Sequence, residues 1–126
     1  MSTGYVIFAH GSRIEAANQS VRSVAAELAQ AGHLAHVQPA FLELGTPSLE
    51  TAIDTLLAQG VTEIVVLPYF LTLGMHLERD LPRIVAGISR ARNGLQIDIR
   101  SPLDGHPALV QILLERAGLR DQGSHT

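Results

Sequence analysis

Short apolar runs alternate with segments of helical period four times along the chain, and this alternation narrows the fold more than any other feature. Tyr5 to Ala9 reads as a first buried strand. Residues 14–31 follow with Ala17, Val21, Val24, Ala25 and Leu28 at helical spacing, and Gly32 stands where a C′ glycine closes a helix. Ser12, with Glu15 three residues on, has the form of a capping box. Residues 34–41 make a weaker second strand, which Pro39 assigns to an edge or irregular position. Thr46-Pro47 reads as an N-cap followed by proline at the first helical position. Leu49, Ala52, Ile53, Leu56 and Leu57 then share a face, and Gly60 ends that helix. Val61 to Leu67 is β-branched and continuous, as in a central strand of a parallel sheet. A loop is expected over residues 68–75, then a third helix capped by Asp80 or Leu81 with Pro82 in its first turn and Asn93-Gly94 at its close. Leu95 to Arg100 is a fourth strand, and Pro107 opens a last helix bearing Leu109, Val110, Leu113 and Leu114.

Four successive βα units predict an α/β fold, a parallel sheet with helices on both faces and right-handed crossovers. The 126 residues fit one domain, taken as 1–120, followed by a polar tail over 121–126. With 46% hydrophobic and only 17% charged residues, such a domain suits a homo-oligomer. The chain has no cysteine, which excludes disulfides, cysteine-held iron–sulfur clusters and thiolate catalysis. All nine basic residues are Arg, so Schiff-base lysine chemistry and a P-loop lysine are excluded as well. A net charge of −3 without any Lys/Arg cluster argues against a nucleic-acid partner. Apolar runs such as Ile64 to Leu67 are too short to span a bilayer, and no secretory-signal pattern is present; the expectation is a cytoplasmic protein without a membrane partner.

Open α/β sheets bind ligands beyond the carboxyl ends of their strands. The first strand exits into Ala9-His10-Gly11-Ser12-Arg13 and the second into Phe41-Leu42-Glu43. The third runs into Pro68-Tyr69-Phe70-Leu71-Thr72-Leu73-Gly74-Met75-His76, and the fourth into Pro102-Leu103-Asp104-Gly105-His106. Every exit thus carries a His or a carboxylate, and three of the six histidines fall on this one edge. His33 and His36 read as surface residues, and His125 lies in the tail. Two imidazoles and a carboxylate suit a borderline divalent metal while leaving its shell open, and a neutral imidazole accepts protons near neutral pH. Such a set serves hydrolysis or metal delivery equally, and the residues alone do not choose. Gly11-Ser12 ahead of a helix offers backbone N–H groups to an anion. No G-x-G-x-x-G pattern occurs, so a dinucleotide site is not expected.

His10-Gly11-Ser12-Arg13 with Asn18, Phe41-Leu42-Glu43 with Pro47, and Pro68 through His76 with Asp80-Leu81-Pro82 together resemble the CbiX/SirB family of class II sirohydrochlorin chelatases, in its short single-domain form. The resemblance runs from Val6 to about Arg116. It implies a flavodoxin-like, chelatase-like three-layer αβα fold with a four-stranded parallel sheet. It implies ATP-independent insertion of a divalent metal (Co2+, with Fe2+ and Ni2+ as relatives' choices) into sirohydrochlorin for cobalamin or sirohaem, by a homodimer that uses no nucleotide. His10 and His76 would then be the metal-binding, proton-accepting pair, with Glu43 as the supporting carboxylate. Ser12, Arg13, Tyr69 and Arg79 are candidates for holding the tetrapyrrole, whose carboxylates suit the planar guanidinium fork. Phe41, Tyr69, Phe70, Leu73 and Met75 are candidates for an apolar wall. The family pattern Pro-Leu-Gly is here Pro-Leu-Asp104-Gly-His106, which reads as a helix-cap variant or a secondary ligand pair. Competing readings are a non-catalytic metal or tetrapyrrole carrier, a His-dependent phosphoryl-transfer enzyme and an FMN-type binder. The first loop is short of basic and hydroxyl groups for the last two.

Overall fold

The computed structural model describes residues 2–119, so the polar tail and His125 lie outside the described residues. Its elements run β1 (Thr3–Ala9), α1 (Glu15–Ala31), β2 (Val37–Phe41), α2 (Leu49–Ala58), β3 (Glu63–Pro68), α3 (Gly74–Arg90), β4 (Gln96–Ile99) and α4 (Ala108–Arg116). The four strands pair in the order β2-β1-β3-β4, all parallel. β1 and β3 are therefore central, as the apolar run at Val61–Leu67 predicts, and β2 with Pro39 is an edge.

Side-chain alternation along β1 builds two cores. Val6 and Phe8 pack with Ile53, Leu56 and Leu81 beneath α2 and α3. Ile7 and Ala9 pack with Val21, Ala25 and Phe41 beneath α1. The chain leaves β1 in one direction to reach β2 and returns past it to β3, so α1 and α2 cover opposite faces. The loops after β1 and β3 consequently part at the carboxyl edge, the switch point at which such sheets hold ligands.

Several helix boundaries differ from expectation. Ser12 does not form a capping box: the N-cap of α1 is Ile14, Ser12 lies two residues upstream and its Oγ accepts from the Ile14 N–H at 3.0 Å, and Glu15 turns to Arg22 at 2.6 Å. Ala17 is exposed, and Asn18 takes the inward position. Gly32 stays right-handed at φ −92°; the left-handed residue that ends α1 is His33, at φ 52°. Ser48, not Thr46, caps α2, accepting from the Thr51 N–H at 3.2 Å. The largest difference is α3, which begins at Gly74 and carries Pro82 in its interior. Pro82 and Glu78 are both exposed, so the Glu78 carbonyl left without a donor can be solvated. His76 accordingly sits in the first turn of a helix rather than in a loop. α4 buries no residue, and Val110 and Leu113 are 57% and 67% exposed.

α2 and α3 are locked together at their solvent side by Arg92. Its guanidinium donates to both Asp54 carboxylate oxygens at 2.6 and 2.8 Å and to Glu50 at 3.0 Å. A further bond goes to the Ile88 carbonyl at 3.2 Å. The Arg92 hydrogen bond holds the Asp54 carboxyl below the ordinary carboxylate range. A carboxylate with a lowered folded-state pKa stabilises the protein above its unfolded pKa, near 3.9, and loses that contribution as pH falls through the folded value. Arg92→Ala is expected to reduce urea stability by on the order of 1 kcal/mol at pH 7, because the Asp54 carboxylate is half exposed to solvent. The difference from wild type should hold from pH 8 to pH 5 and shrink below about pH 4.

Candidate functional site

The parallel ladder between β1 and β2 does not stop where the strands do. Ala9 pairs with Phe41, then Leu42 donates to the Ala9 carbonyl at 2.9 Å and Glu43 to the His10 carbonyl at 3.0 Å. The two loops approach so closely that a Cβ on Gly11, at φ +96°, would lie 1.7 Å from the Glu43 carbonyl oxygen. Only glycine fits there. This backbone contact sets His10 and Glu43 side by side, with Nε2 3.3 Å from Oε1 and both side chains more than half exposed. His10 Nδ1 faces the Gly11 carbonyl at 3.2 Å. A carbonyl only accepts, so Nδ1 is assigned the proton and, in the neutral ring, Nε2 turns its lone pair toward the carboxylate. Two such donors facing one another are held together by a cation: a proton, or a divalent metal in its place.

His76 enters from the other side of the switch point. A cavity of about 370 Å³ is lined by His10, Leu42, Phe70, Leu73, Met75 and His76, among others. One imidazole comes from the loop that leaves β1 and the other from the first turn of α3. His76 Nδ1 accepts from Arg79 at 3.4 Å, and Arg79 Nε lies 3.6 Å from Asp80. Among the described residues, no three His, Asp or Glu side chains stand close enough together to hold a metal ion. The arrangement is thus a close His10–Glu43 pair with His76 across a shared cavity, not a closed tetrahedral site. The positive end of the α3 dipole at His76 also disfavours a permanently held cation. Imidazole and carboxylate donors suit a divalent ion, and their open arrangement differs from the closed shell of a structural site.

The remaining expectations divide. Ser12 is beside the site, but its N–H already donates to Asn18 at 2.9 Å and is not available to an anion. Arg13 is exposed in the same loop. Tyr69 is 40% exposed at the β3 exit but does not line the His10–His76 cavity. Phe41 is only 1% exposed, under the Arg22 guanidinium at 5.4 Å, so it is core and not an apolar wall. Phe70 is half-buried against Phe8, whereas Met75 is 85% exposed at the rim. His106 Nδ1 accepts from the Ala108 N–H at 3.0 Å, a cap on α4, and this is the helix-cap alternative. Sequence reasoning left Asn18 without a role. Its signal was present: it lies three and seven residues before Val21 and Ala25, so α1 periodicity turns it inward.

A family model described as CbiX matches residues 4–118. The sirohydrochlorin cobaltochelatase of Sulfolobus acidocaldarius is 32% identical over 114 residues, covering 90% of this chain and 89% of that protein. The chloroplastic sirohydrochlorin ferrochelatase of Arabidopsis thaliana is 30% identical over 113 residues; the match spans 90% of this chain but only 50% of that relative's length. The sirohydrochlorin chelatase SirB from Bacillus subtilis subspecies spizizenii, solved in complex with cobalt, superposes with a TM-score of 0.80 at 28% identity, covering 94% of this chain and 50% of that one.

Gly11→Ala tests the loop contact. Overlap with the Glu43 carbonyl and the left-handed φ should cost the fold about 1–3 kcal/mol and separate the two side chains. The expected result is a lowered melting midpoint, together with at least a tenfold loss of Co2+ affinity by titration of the folded variant, the scale of an outer-shell defect.

Proposed function

The chain belongs to the CbiX family, and from that premise we propose that it is a sirohydrochlorin chelatase, an enzyme that exchanges two pyrrole N–H protons of the tetrapyrrole for one divalent metal ion. The observation that carries the reading is the His10–Glu43 pair at 3.3 Å, whose imidazole lines the same cavity as His76. The metal is substrate. His10 Nε2 and Glu43 receive the ion, and His76 completes or relays its shell. Replacing water by imidazole one ligand at a time lowers the cost of stripping the hydrated ion.

As the metal passes to the pyrrole nitrogens, two protons leave the ring. Each vacated lone pair, on His10 Nε2 and on Glu43 or His76, is a proton acceptor at the site. One dication enters and two protons depart, so the macrocycle keeps its charge, and no nucleotide is required to drive the step. Arg13, exposed in the loop after β1, and Arg79, on α3 beside His76, are the partners we assign to the substrate's carboxylates. Leu73 and Met75 offer apolar surface to the ring. Co2+ is the ion we assign first, with Fe2+ and Ni2+ tested beside it, because divalent preference follows geometry and supply more than raw affinity.

The homodimer belongs to the same proposal. Its support is the α4 strip, where Val110 and Leu113 are exposed beside a cavity of about 500 Å³ that Leu71 and Leu109 also line. A second copy of the chain is the occupant. Leu113→Asp should shift sedimentation from dimer to monomer at micromolar concentration; a wild type that sediments as a monomer contradicts this part.

The chemistry is tested by incubating the protein with sirohydrochlorin and Co2+, Fe2+ or Ni2+ and following the tetrapyrrole spectrum. Insertion should exceed the spontaneous rate. His10→Ala and His76→Ala, folded by circular dichroism, should each lose at least about a hundredfold in rate, the low end for a positioned acid–base group. Unchanged insertion in both variants contradicts the assigned roles, and metal binding without acceleration in the wild type identifies a carrier instead.

A further inference from the structure

Asn18 is the one buried polar side chain among the described residues, 3% exposed on the inner face of α1. All of its hydrogen bonds go to the backbone of the two loops that hold the ligand pair. Its Oδ1 accepts from the Ser12 N–H at 2.9 Å. Its Nδ2 donates to the Ser12 carbonyl and to the Leu44 carbonyl, both at 2.9 Å. Both amide protons are thus spent, one on each loop. The packing leaves no slack: a Cβ on Gly45 would lie 3.1 Å from Nδ2. One turn further along α1, Arg22 donates to the Thr46 carbonyl at 3.1 Å, so the helix grips the second loop twice.

These bonds fall on the far side of each ligand. His10 lies between its ladder bond with Glu43 and the Asn18 grip on Ser12; Glu43 lies between the same ladder bond and the grip on Leu44. We propose that Asn18 is a positioning residue for metal delivery, fixing the separation of His10 Nε2 and Glu43 Oε1 by tying their loops to one another through a single amide. This rests on the chelatase reading for its functional consequence, though the metal-binding consequence is separately observable. Two donors that share an ion must be held within about half an ångström of the working geometry. The amide is specific to the task. Two of its three bonds need an N–H donor, so an aspartate would set lone pairs against the Ser12 and Leu44 carbonyls.

The test uses the full chain with Asn18→Ala, Asn18→Asp and Asn18→Ser, and Val21→Ala as a control that loosens α1 without touching either loop. Apo protein is titrated with Co2+ and its visible absorption recorded, at a temperature well below each variant's melting midpoint; sirohydrochlorin kinetics follow on the same samples. The Asn18 variants are expected to lose about tenfold or more in Co2+ affinity, in the range of outer-shell defects. Their cobalt spectrum should move toward that of the hydrated ion, and kcat should fall while the KM for sirohydrochlorin stays within about twofold, a loss confined to the transition state. Val21→Ala should keep the wild-type spectrum and kcat. Folded Asn18 variants with wild-type Co2+ affinity, spectrum and kcat overturn the proposal. So does an equal loss in Val21→Ala, or failure of all three Asn18 variants to fold while Val21→Ala folds, since the residue would then serve the framework alone. A wild type that binds Co2+ without metallating sirohydrochlorin sinks the chelatase reading instead and leaves the spectroscopic arm to decide on Asn18.

Discussion

Backbone contact between two neighbouring loops governs the site. β1 and β2 pair in parallel, and their hydrogen bonding persists beyond the strands until Glu43 donates to the His10 carbonyl. The approach is close enough that residue 11 has no room for a Cβ. Given that register, the side chains of His10 and Glu43 meet without any bond designed between them. A slip in strand pairing would carry one of them to the opposite face of the sheet. α1 secures the same contact from behind through Asn18 and Arg22, so the helix that covers one face of the sheet also sets the spacing at its edge.

The chemistry follows from incompleteness. A closed shell of four ligands would retain its metal. Here the pair is solvated, the second imidazole stands across a cavity, and a helix N-terminus opposes the cation. Each feature weakens holding and favours transfer. In the mechanism we propose, the same imidazole and carboxylate lone pairs that release the ion would then accept the protons that the ring gives up, so that holding and acid–base work are successive states of one donor set.

The sequence made much of this legible, because the signals concerned are local. Apolar runs with β-branching identified the four strands, and glycine at residue 60 marked a true left-handed helix end, at φ +94°. The exits carrying His10 and Glu43 could be read by counting past the strands. What misled was proline and cap chemistry. Pro82 has the look of a first-turn proline, yet the helix runs through it because its solvent face can hydrate the orphaned Glu78 carbonyl. That error placed the start of α3 beyond His76. Phe41 was read as substrate wall because sequence does not distinguish a buried aromatic from a cleft aromatic, and Asn18 could be placed inward but its three partners come from residues 6 and 26 positions away.

The most direct measurement is the position of Co2+ in a crystal of the protein, read from its anomalous scattering. The account predicts an ion between His10 Nε2 and Glu43 Oε1, at about 2.1 Å from the imidazole nitrogen by analogy with zinc, on the side facing His76. An ion bound instead at His33, His36 or His106, with the His10–Glu43 pair still in direct contact, would contradict it.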